Sequence, residues 1–232
     1  MQRLASPKKY PILKKKSIYV IKLGPGPHSK NNSLPLLLIL RDMLKIASTG
    51  AEAKKLLNMR TIMIDRTVRT SPNFPVGLMD TLYIPELKQA YRLMFGEDGN
   101  IKLIAIDEAE SELKPCKIIN KKIISKGKIQ LNLHDGRNLI VADSKYKPGD
   151  TLFLSLPSQK IKKHNPLEKG ATVYITDGKH IGEVAKISEF LPMKGSNPDR
   201  ILLSTKGGSF ETLKKYIFVI GQDKSEIKLY GE

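Results

Sequence analysis

From residue 101 onward, the sequence is a succession of short segments rich in β-branched residues. Turns that carry glycine, for example at 134–136, 147–150 and 177–178, separate these segments. Short strands at regular spacing with glycine turns are typical of small β-barrels. We predict strands at 101–106, 117–124, 128–133, 138–141, 151–156, 172–176, 183–187, 200–204 and 216–220. Their cores should be aliphatic, because aromatic residues make up only 6% of the chain and tryptophan is absent.

Residues 33–84 carry a different pattern, in which helices come first. Apolar residues between 36 and 44 recur at helical spacing, with Ser33 as the predicted cap. A second helix begins with the capping-box pattern Thr49-Gly50-Ala51-Glu52, whose first and last side chains each bond the other's backbone. After this helical hairpin we predict a strand at 61–64, turns at 65–66 and 75–77, and a strand at 80–84.

The first 33 residues are predicted to form a basic, extended arm that becomes ordered on RNA, with a disordered tail as the alternative. Prolines at positions 7, 11, 25 and 27 favour extended backbone, and only 17–21 has the composition of a short strand. The segment Gly24-Pro25-Gly26-Pro27 does not suit a dinucleotide-binding loop, because proline offers no N–H group to a pyrophosphate.

The charge of the chain indicates a polyanionic partner. The net charge is +17, from 40 basic and 23 acidic residues, and nine of the basic residues precede Asp42, the first carboxylate. Such an excess opposes compaction unless a polyanion neutralises it, and lysine and arginine gain affinity for phosphates by releasing condensed counterions. We therefore expect a nucleic acid. An anionic membrane surface is the weaker alternative, and the apolar stretch at 34–40 is too short to span a bilayer.

The residues capable of catalysis or metal binding form no recognisable constellation. Cys116 is the single cysteine, which excludes an intramolecular disulfide and a site with several cysteines. The four histidines are scattered, and no phosphate loop of the type GxxxxGK(S/T) occurs. A nucleophile pair of Cys116 with a histidine and a Mg²⁺ site at the acidic cluster 107–112 remain minor alternatives. For that cluster, a solvated linker or an internal partner for the basic arm is preferred. We therefore predict no enzyme activity, no metal and no cofactor.

Two groups of residues are predicted to contact RNA: the basic residues of the arm, and the face of the second helix with the strand that follows it. The N–H groups at the start of this helix, near Thr49, are suited to receive a phosphate. The predicted contacts are Arg3, Lys8, Lys9, Lys14, Lys15, Lys16, His28, Lys30, Thr49, Lys54, Lys55, Arg60, Arg66 and Arg69.

Two segments resemble known RNA-binding modules. Residues 49–57, followed by a strand, Asp65 at a turn and Val68, resemble the alpha-L RNA-binding domain, and 170–187 resembles a Kyrpides–Ouzounis–Woese (KOW) motif. Their order and their flanks are similar to small-subunit ribosomal protein four of archaea and eukaryotes, the "e" type. The flanking matches are 3–7, 26–29, 68–70, 77–80, 133–137, 209–212 and 216–221. His180 and Ala185 depart from the asparagine and glycine that are usual in that family.

This resemblance implies an α+β, multi-domain fold. The expected parts are the basic arm (1–33), an alpha-L domain made of a helical hairpin and a sheet (34–100), a β-rich central domain (101–165), and an SH3-like barrel with a C-terminal strand (166–232).

The resemblance also implies a function. The chain would be a structural constituent of the small ribosomal subunit that binds ribosomal RNA and supports subunit assembly and translation, without catalysis. Its partners would be ribosomal RNA and neighbouring ribosomal proteins in the cytoplasm, with no membrane and no small-molecule substrate. One alternative is an RNA-modifying enzyme, which the missing catalytic constellation disfavours. Another is a transcription elongation factor, which would not need the alpha-L domain or the long arm.

Overall fold

The computed structural model describes residues 1–124, 127–142, 144–193, 197–205 and 207–229. The chain divides into two compact units. The first consists of Met1–Phe95, Asn100–Lys114 and Ser155–Gln159, and the second of Gly96–Gly99, Pro115–Leu154 and Lys160–Glu232. In both, most of the regular structure that is described is strand, and helices are few. The predicted α+β fold class is confirmed in this coarse form, as a mostly β-rich protein that also contains helices.

The strands of the described residues, in chain order, are β1 (Ser33–Pro35), β2 (Met63–Ile64), β3 (Thr67–Val68), β4 (Pro75–Gly77), β5 (Thr81–Ile84), β6 (Gln89–Phe95), β7 (Ile101–Ile106), β8 (Leu113–Ile123), β9 (Ile129–Leu133), β10 (Asn138–Val141), β11 (Thr151–Ser155), β12 (Lys160–Asn165), β13 (Thr172–Ile175), β14 (Val184–Leu191), β15 (Arg200–Thr205), β16 (Gly208–Leu213) and β17 (Ile217–Gly221). The α-helices of the described residues are α1 (Leu36–Leu38), which continues as a π-helical turn over Ile39–Met43, and α2 (Gly50–Asn58). Short 3-10 helices lie at Lys30–Asn32, Pro85–Leu87, Glu110–Glu112 and Lys214–Tyr216. None of the helices in the described part of the chain is long and apolar enough to cross a membrane.

The start of the first helix differs from the prediction. Ser33 lies in β1 opposite Gly77 of β4, and its hydroxyl group donates to the carbonyl of Ser29 at 2.7 Å instead of capping the helix. The N-cap position is Pro35, whose missing N–H costs nothing at a helix start. The predicted turn at 75–77 is also wrong, because this segment is β4, the strand that pairs with β1.

The second helix begins as predicted. Thr49 Oγ1 accepts the N–H of Glu52 at 3.2 Å, and Glu52 Oε2 accepts the N–H groups of Ser48 at 2.7 Å and Thr49 at 3.4 Å. Ala53 and Leu57 are fully buried, so this short helix packs one face against the first unit and exposes the other.

The main sheet of the first unit has the order β3-β2-β5-β6-β7. The chain reverses between β2 and β3 at Asp65 and Arg66, whose φ angles of 51° and 58° make a left-handed turn. The predicted strand at 101–106 matches β7, whereas β6 was not predicted. The predicted strand at 17–21 is wrong, since only Tyr19 pairs there, in an isolated bridge with Gln2.

Two further five-stranded sheets lie largely in the second unit. Their orders are β10-β9-β8-β11-β12 and β16-β15-β14-β13-β17. In the second of these, Val173 of β13 pairs with Ala185 of β14 on one side and with Val219 of β17 on the other. All three residues belong to a buried aliphatic cluster, as the composition predicts. Residues 230–232 of the predicted barrel lie outside the described residues.

Candidate nucleic-acid interface

The N-terminal segment is tied to the first unit by backbone hydrogen bonds. The terminal ammonium group of Met1 donates to the carbonyl of Val20 at 2.8 Å, and the N–H of Arg3 donates to Ile18 at 2.8 Å. Tyr10 is 2% exposed, and its burial raises the pKa of its hydroxyl group to about 12. These contacts give the basic residues between 3 and 16 a defined backbone position.

Residues from three parts of the first unit line one groove of about 730 Å³: the N-terminal segment, the residues around Arg41 and Lys45, and the start of α2. We call it the basic groove and define it by the residues Arg3, Lys16, Tyr19, Arg41, Lys45 and Thr49. Of these, Arg3, Lys16 and Thr49 were predicted from the sequence as RNA contacts. The other three were missed, because helical periodicity places Arg41 and Lys45 on the polar side of a helix without indicating that the arm lies beside them.

The exposed positive charge of the basic groove comes mainly from its lysines. Lys16 and Lys45 are both exposed. Arg41 instead binds Asp42 through two hydrogen bonds of 2.8 and 2.9 Å, and this pairing raises the pKa of its guanidinium group. Arg3 is 8% exposed and donates to the hydroxyl group of Ser17. The two arginines therefore shape the groove, while the two lysines remain accessible to an anion.

Helix α2 presents a second basic surface, which we call the helix face: Lys54, Lys55 and Arg60. All three side chains are exposed, and Arg60, which follows the C-cap residue Met59, has a left-handed φ of 60°. The N-terminus of α2 is less open than predicted. Its capping box already satisfies two N–H groups, and it places the carboxylate of Glu52 beside Thr49.

Two predicted contacts face inward. Arg66 donates to Ser111 Oγ at 2.7 Å, lies 3.7 and 3.6 Å from Glu108 and Glu112, and stacks over Tyr83 at 4.2 Å. The guanidinium group of Arg69 lies 4.6 Å from the centre of the Phe74 ring. The acidic cluster at 107–112 thus pairs with internal arginines, Arg66 among them.

His28 lies in a buried group of charges. Its Nε2 atom is 2.9 Å from Asp80 Oδ1, and Asp80 Oδ2 accepts the N–H of Gly77 at 2.8 Å. Lys114 donates to both Asp65 and Asp80, and all of these side chains are at most 7% exposed. Burial alone would raise the pKa of Asp80, but Lys114 and His28 outweigh it and hold the pKa well below its usual range.

This buried group, which we call the charge cluster (His28, Asp65, Asp80 and Lys114), unites two of the segments that resemble the ribosomal family. Residues 26–29 supply His28, and 77–80 supply Asp80. Gly77 is required at this contact, because a Cβ atom there would lie 2.2 Å from the His28 ring. The geometry thus gives both segments a role in holding the first unit together.

The remaining predicted contacts are spread over the N-terminal segment. Lys9 donates to Asn32 at 3.1 Å and lies over the ring of Phe95, and Lys14 donates to the carbonyl of Ser6 at 3.2 Å. Lys8 and Lys15 are exposed. His28 and Lys30 line a smaller cavity of about 260 Å³, separate from the basic groove.

The second unit brings Cys116, His134 and Asp135 together, with one polar atom of each within 4.8 Å of the others. The guanidinium group of Arg137 lies 3.4 Å from Asp135 Oδ2, and His134 Nδ1 accepts the N–H of Lys117 at 3.3 Å. Arg137 is a permanent cation beside the carboxylate of Asp135, and one ring nitrogen of His134 already accepts a hydrogen bond. This arrangement does not suit a metal ion, so we interpret the three residues as a structural cluster.

Comparisons with known proteins agree with the resemblance seen in the sequence. Residues 87–161 match ribosomal family S4e. The small ribosomal subunit protein eS4 of Methanosphaera stadtmanae is 43% identical over 232 residues, covering 100% of this chain and 96% of that protein. The protein of the same name from Methanocaldococcus jannaschii is 43% identical over 238 residues, covering 99% of this chain and 96% of the relative.

A solved structure is similar as well. The crystal structure of the 30S ribosomal protein S4e from Thermoplasma acidophilum superposes with a TM-score of 0.72 at 33% sequence identity. The match covers 83% of this chain and 97% of that one. With relatives of this identity over its full length, the chain belongs to ribosomal family S4e.

Proposed function

We propose that the protein is a structural constituent of the small ribosomal subunit, and that it holds ribosomal RNA through the basic groove and the helix face. The observation that carries this proposal is the convergence of Lys16, Lys45 and the start of α2 on one groove. These residues come from separate parts of a chain whose net charge is +17. Phosphates are the partner that such a surface suits, because each contact releases condensed counterions.

The order of the N-terminal segment supports this role. A segment without fixed structure loses roughly 1–2 kcal/mol of backbone entropy per residue when it docks. Here the hydrogen bonds from Met1 and Arg3 already hold the backbone next to Lys16. Phosphates that meet the basic groove therefore require little further ordering of the protein.

Membership of ribosomal family S4e confirms that the chain is not an enzyme and that it is a ribosomal protein of the small subunit. The finer organisation is part of the proposal: an arm at 1–33, an alpha-L domain at 34–100, a β-rich domain at 101–165, and a KOW-type, SH3-like barrel at 166–232. The sheet order β16-β15-β14-β13-β17 supports the barrel, because β13, the first of these strands in the chain, lies beside β17, the last. Subunit assembly, translation in the cytoplasm, and contacts with neighbouring ribosomal proteins complete the proposal.

The experiment that tests it compares two charge reversals of equal size in the full chain. One variant carries Lys54→Glu, Lys55→Glu and Arg60→Glu on the helix face. The matched control carries Lys160→Glu, Lys162→Glu and Lys186→Glu on exposed positions of β12 and β14. Binding to transcribed small-subunit ribosomal RNA is measured by filter retention, with circular dichroism as the folding control.

We expect the helix-face variant to bind at least tenfold more weakly than the wild type, and the control variant to lose much less. The physical reason is that a glutamate in place of a lysine or arginine repels phosphates only where RNA lies against the protein. If the control variant loses most of the affinity while the helix-face variant binds normally, the second unit is the primary RNA surface and the proposal is wrong.

A further inference from the structure

Tyr19 is the feature of the basic groove that phosphate binding does not explain. Its side chain is 71% exposed on the groove wall, next to Ile18 at 71% and near Leu13 at 73%. Lysines would serve a phosphate backbone without an aromatic ring. Exposed apolar surface that is contiguous and rimmed by charge marks an interaction site.

The backbone around Tyr19 is fixed on both sides. Tyr19 pairs with Gln2 in an antiparallel bridge. Its chain neighbours are bonded as well, since the N–H of Arg3 donates to Ile18 at 2.8 Å and the N–H of Val20 donates to Met1 at 2.9 Å. Val20 is 7% exposed and anchors the segment in the first unit. The ring of Tyr19 is therefore presented to solvent from a preorganised backbone.

We propose that the basic groove takes an unpaired nucleotide of RNA, with its base stacked on Tyr19 and its phosphates near Lys16 and Lys45. This inference rests on the proposed function and adds the structural class of RNA that the groove selects. A base inside a duplex is stacked between its neighbours and has no free face, whereas bases in loops and bulges can stack on an aromatic side chain. Lysines beside an exposed ring match that combination of π-face and phosphate.

An acidic peptide is the competing partner for a groove lined with lysines. Carboxylates would pair with Lys16 and Lys45 but would leave the Tyr19 ring without a matching group. The large exposed fraction of the ring, next to those charges, therefore favours a nucleotide.

The test uses the full chain and three probes: a short single-stranded RNA, a blunt RNA duplex of the same length, and a poly-glutamate peptide. The variants are Tyr19→Ala, Tyr19→Leu, which keeps the apolar bulk without a π-face, and Tyr19→Phe, which keeps the ring. Tyr91→Ala, a half-buried tyrosine of β6 outside the groove, is the matched control. A single-stranded probe carrying 2-aminopurine reports stacking directly, because stacking quenches its fluorescence.

We expect Tyr19→Ala and Tyr19→Leu to weaken binding of the single strand about tenfold, in line with the usual contribution of one base stacked on an aromatic ring. Duplex binding should not change, Tyr19→Phe and Tyr91→Ala should bind like the wild type, and the 2-aminopurine quench should disappear only in the variants without the ring. Unchanged single-strand affinity in both Tyr19→Ala and Tyr19→Leu overturns the inference. It is also overturned if poly-glutamate binds as tightly as RNA and depends on Tyr19.

A double variant, Lys16→Glu with Lys45→Glu, separates this inference from the proposed function. We expect it to weaken both the single strand and the duplex. If it does so while the Tyr19 variants bind normally, the phosphate-binding role of the groove stands and only the stacking is refuted. If the double variant and the helix-face variant both bind normally, the proposed function fails as well.

Discussion

The ammonium group of Lys114 lies 2.6 Å from Asp65 Oδ2, and the two side chains are 1% and 7% exposed. Lys114 also donates to Asp80, so one ammonium group pairs with two buried carboxylates. Removing one partner of a buried ion pair leaves an uncompensated charge and typically costs about 3–5 kcal/mol. We expect Lys114→Met to lower the free energy of unfolding by about that amount, as measured by urea denaturation.

The control for this experiment removes the carboxylates together with the lysine. A triple variant, Lys114→Met with Asp65→Asn and Asp80→Asn, removes both ion pairs of Lys114 as whole pairs, and replacing a complete buried ion pair is often close to neutral. We expect it to be more stable than Lys114→Met alone. A triple variant as unstable as the single one would show that the charge cluster acts mainly through packing.

The charge cluster also predicts an acid limit to stability. The pKa of Asp80 is held below its usual range in the folded state, so the unfolded chain takes up a proton there first. The contribution of Asp80 is therefore fully present above about pH 4 and is lost as the pH falls further. We expect the free energy of unfolding to fall below that pH, and to fall less steeply when Asp80→Asn is combined with Lys114→Met. Equal slopes in the two proteins would contradict the assignment to Asp80.

Lys117 predicts that stability also rises with pH in the alkaline range, relative to a variant without this lysine. Its Nζ atom donates to the carbonyls of Lys215 at 2.9 Å and Ile217 at 2.6 Å, and burial, with a smaller contribution from Lys214, lowers its pKa to about 8. Between that value and its ordinary pKa of 10.5, the unfolded chain binds a proton that the folded chain does not. The free energy of unfolding of the wild type should therefore rise across this range relative to Lys117→Met. A constant difference between the two proteins would refute the lowered pKa.

The capping box of α2 separates stability from RNA affinity at Thr49. Replacing a capping threonine by alanine typically costs about 1 kcal/mol. We expect Thr49→Ala to lower the melting temperature, because it removes the bond that Thr49 Oγ1 accepts from the N–H of Glu52. RNA affinity should fall less than in the double variant Lys16→Glu with Lys45→Glu, because the lysines of the basic groove stay in place. Thr49→Ser, which can keep the cap, is the matched control. A loss of RNA affinity in Thr49→Ala that Thr49→Ser restores would instead assign this residue to the RNA contact.

Binding of ribosomal RNA should depend strongly on salt. The logarithm of the affinity is expected to fall with the logarithm of the salt concentration, with a slope on the order of −0.7 to −0.9 per phosphate contacted. The helix-face variant should show a shallower slope than the wild type, since each lost phosphate contact reduces the magnitude of the slope by about one. A flat response in the wild type between low and moderate salt would exclude an electrostatic interface.

Patterns that are local in sequence predicted the fold best. The capping box at Thr49 and the strands at 101–106 and 138–141 appear as predicted, because their signals depend on neighbouring residues. The strand β12 was missed because Lys160–Asn165 is mostly polar and lies at the edge of its sheet. Ser33 was misassigned because its pairing partner, Gly77, is 44 residues away in the chain.

The candidate site shows the same limit. Charge alone was enough to predict Lys16 and the helix face as candidate contacts, and these side chains are exposed. Charge could not distinguish Arg66, which turns inward to Ser111, from an exposed cation. It also could not indicate that Tyr19 and Lys45 share a groove, because that contact depends on how the N-terminal segment packs. Whether a basic residue faces solvent or a buried carboxylate is decided by tertiary structure.

The pairing of β13 with β17 has a consequence for biosynthesis. All the strands of the sheet β3-β2-β5-β6-β7 are present once Ile106 has been made, and the charge cluster is complete at Lys114. The last sheet waits for Gly221, and until then β13 is an open edge. At the usual translation rate of about 5–20 residues per second, the interval between the synthesis of β13 and that of β17 lasts several seconds. A nascent chain can thus offer its candidate RNA-contacting residues while its C-terminal sheet is unfinished and one edge of β13 is still unpaired.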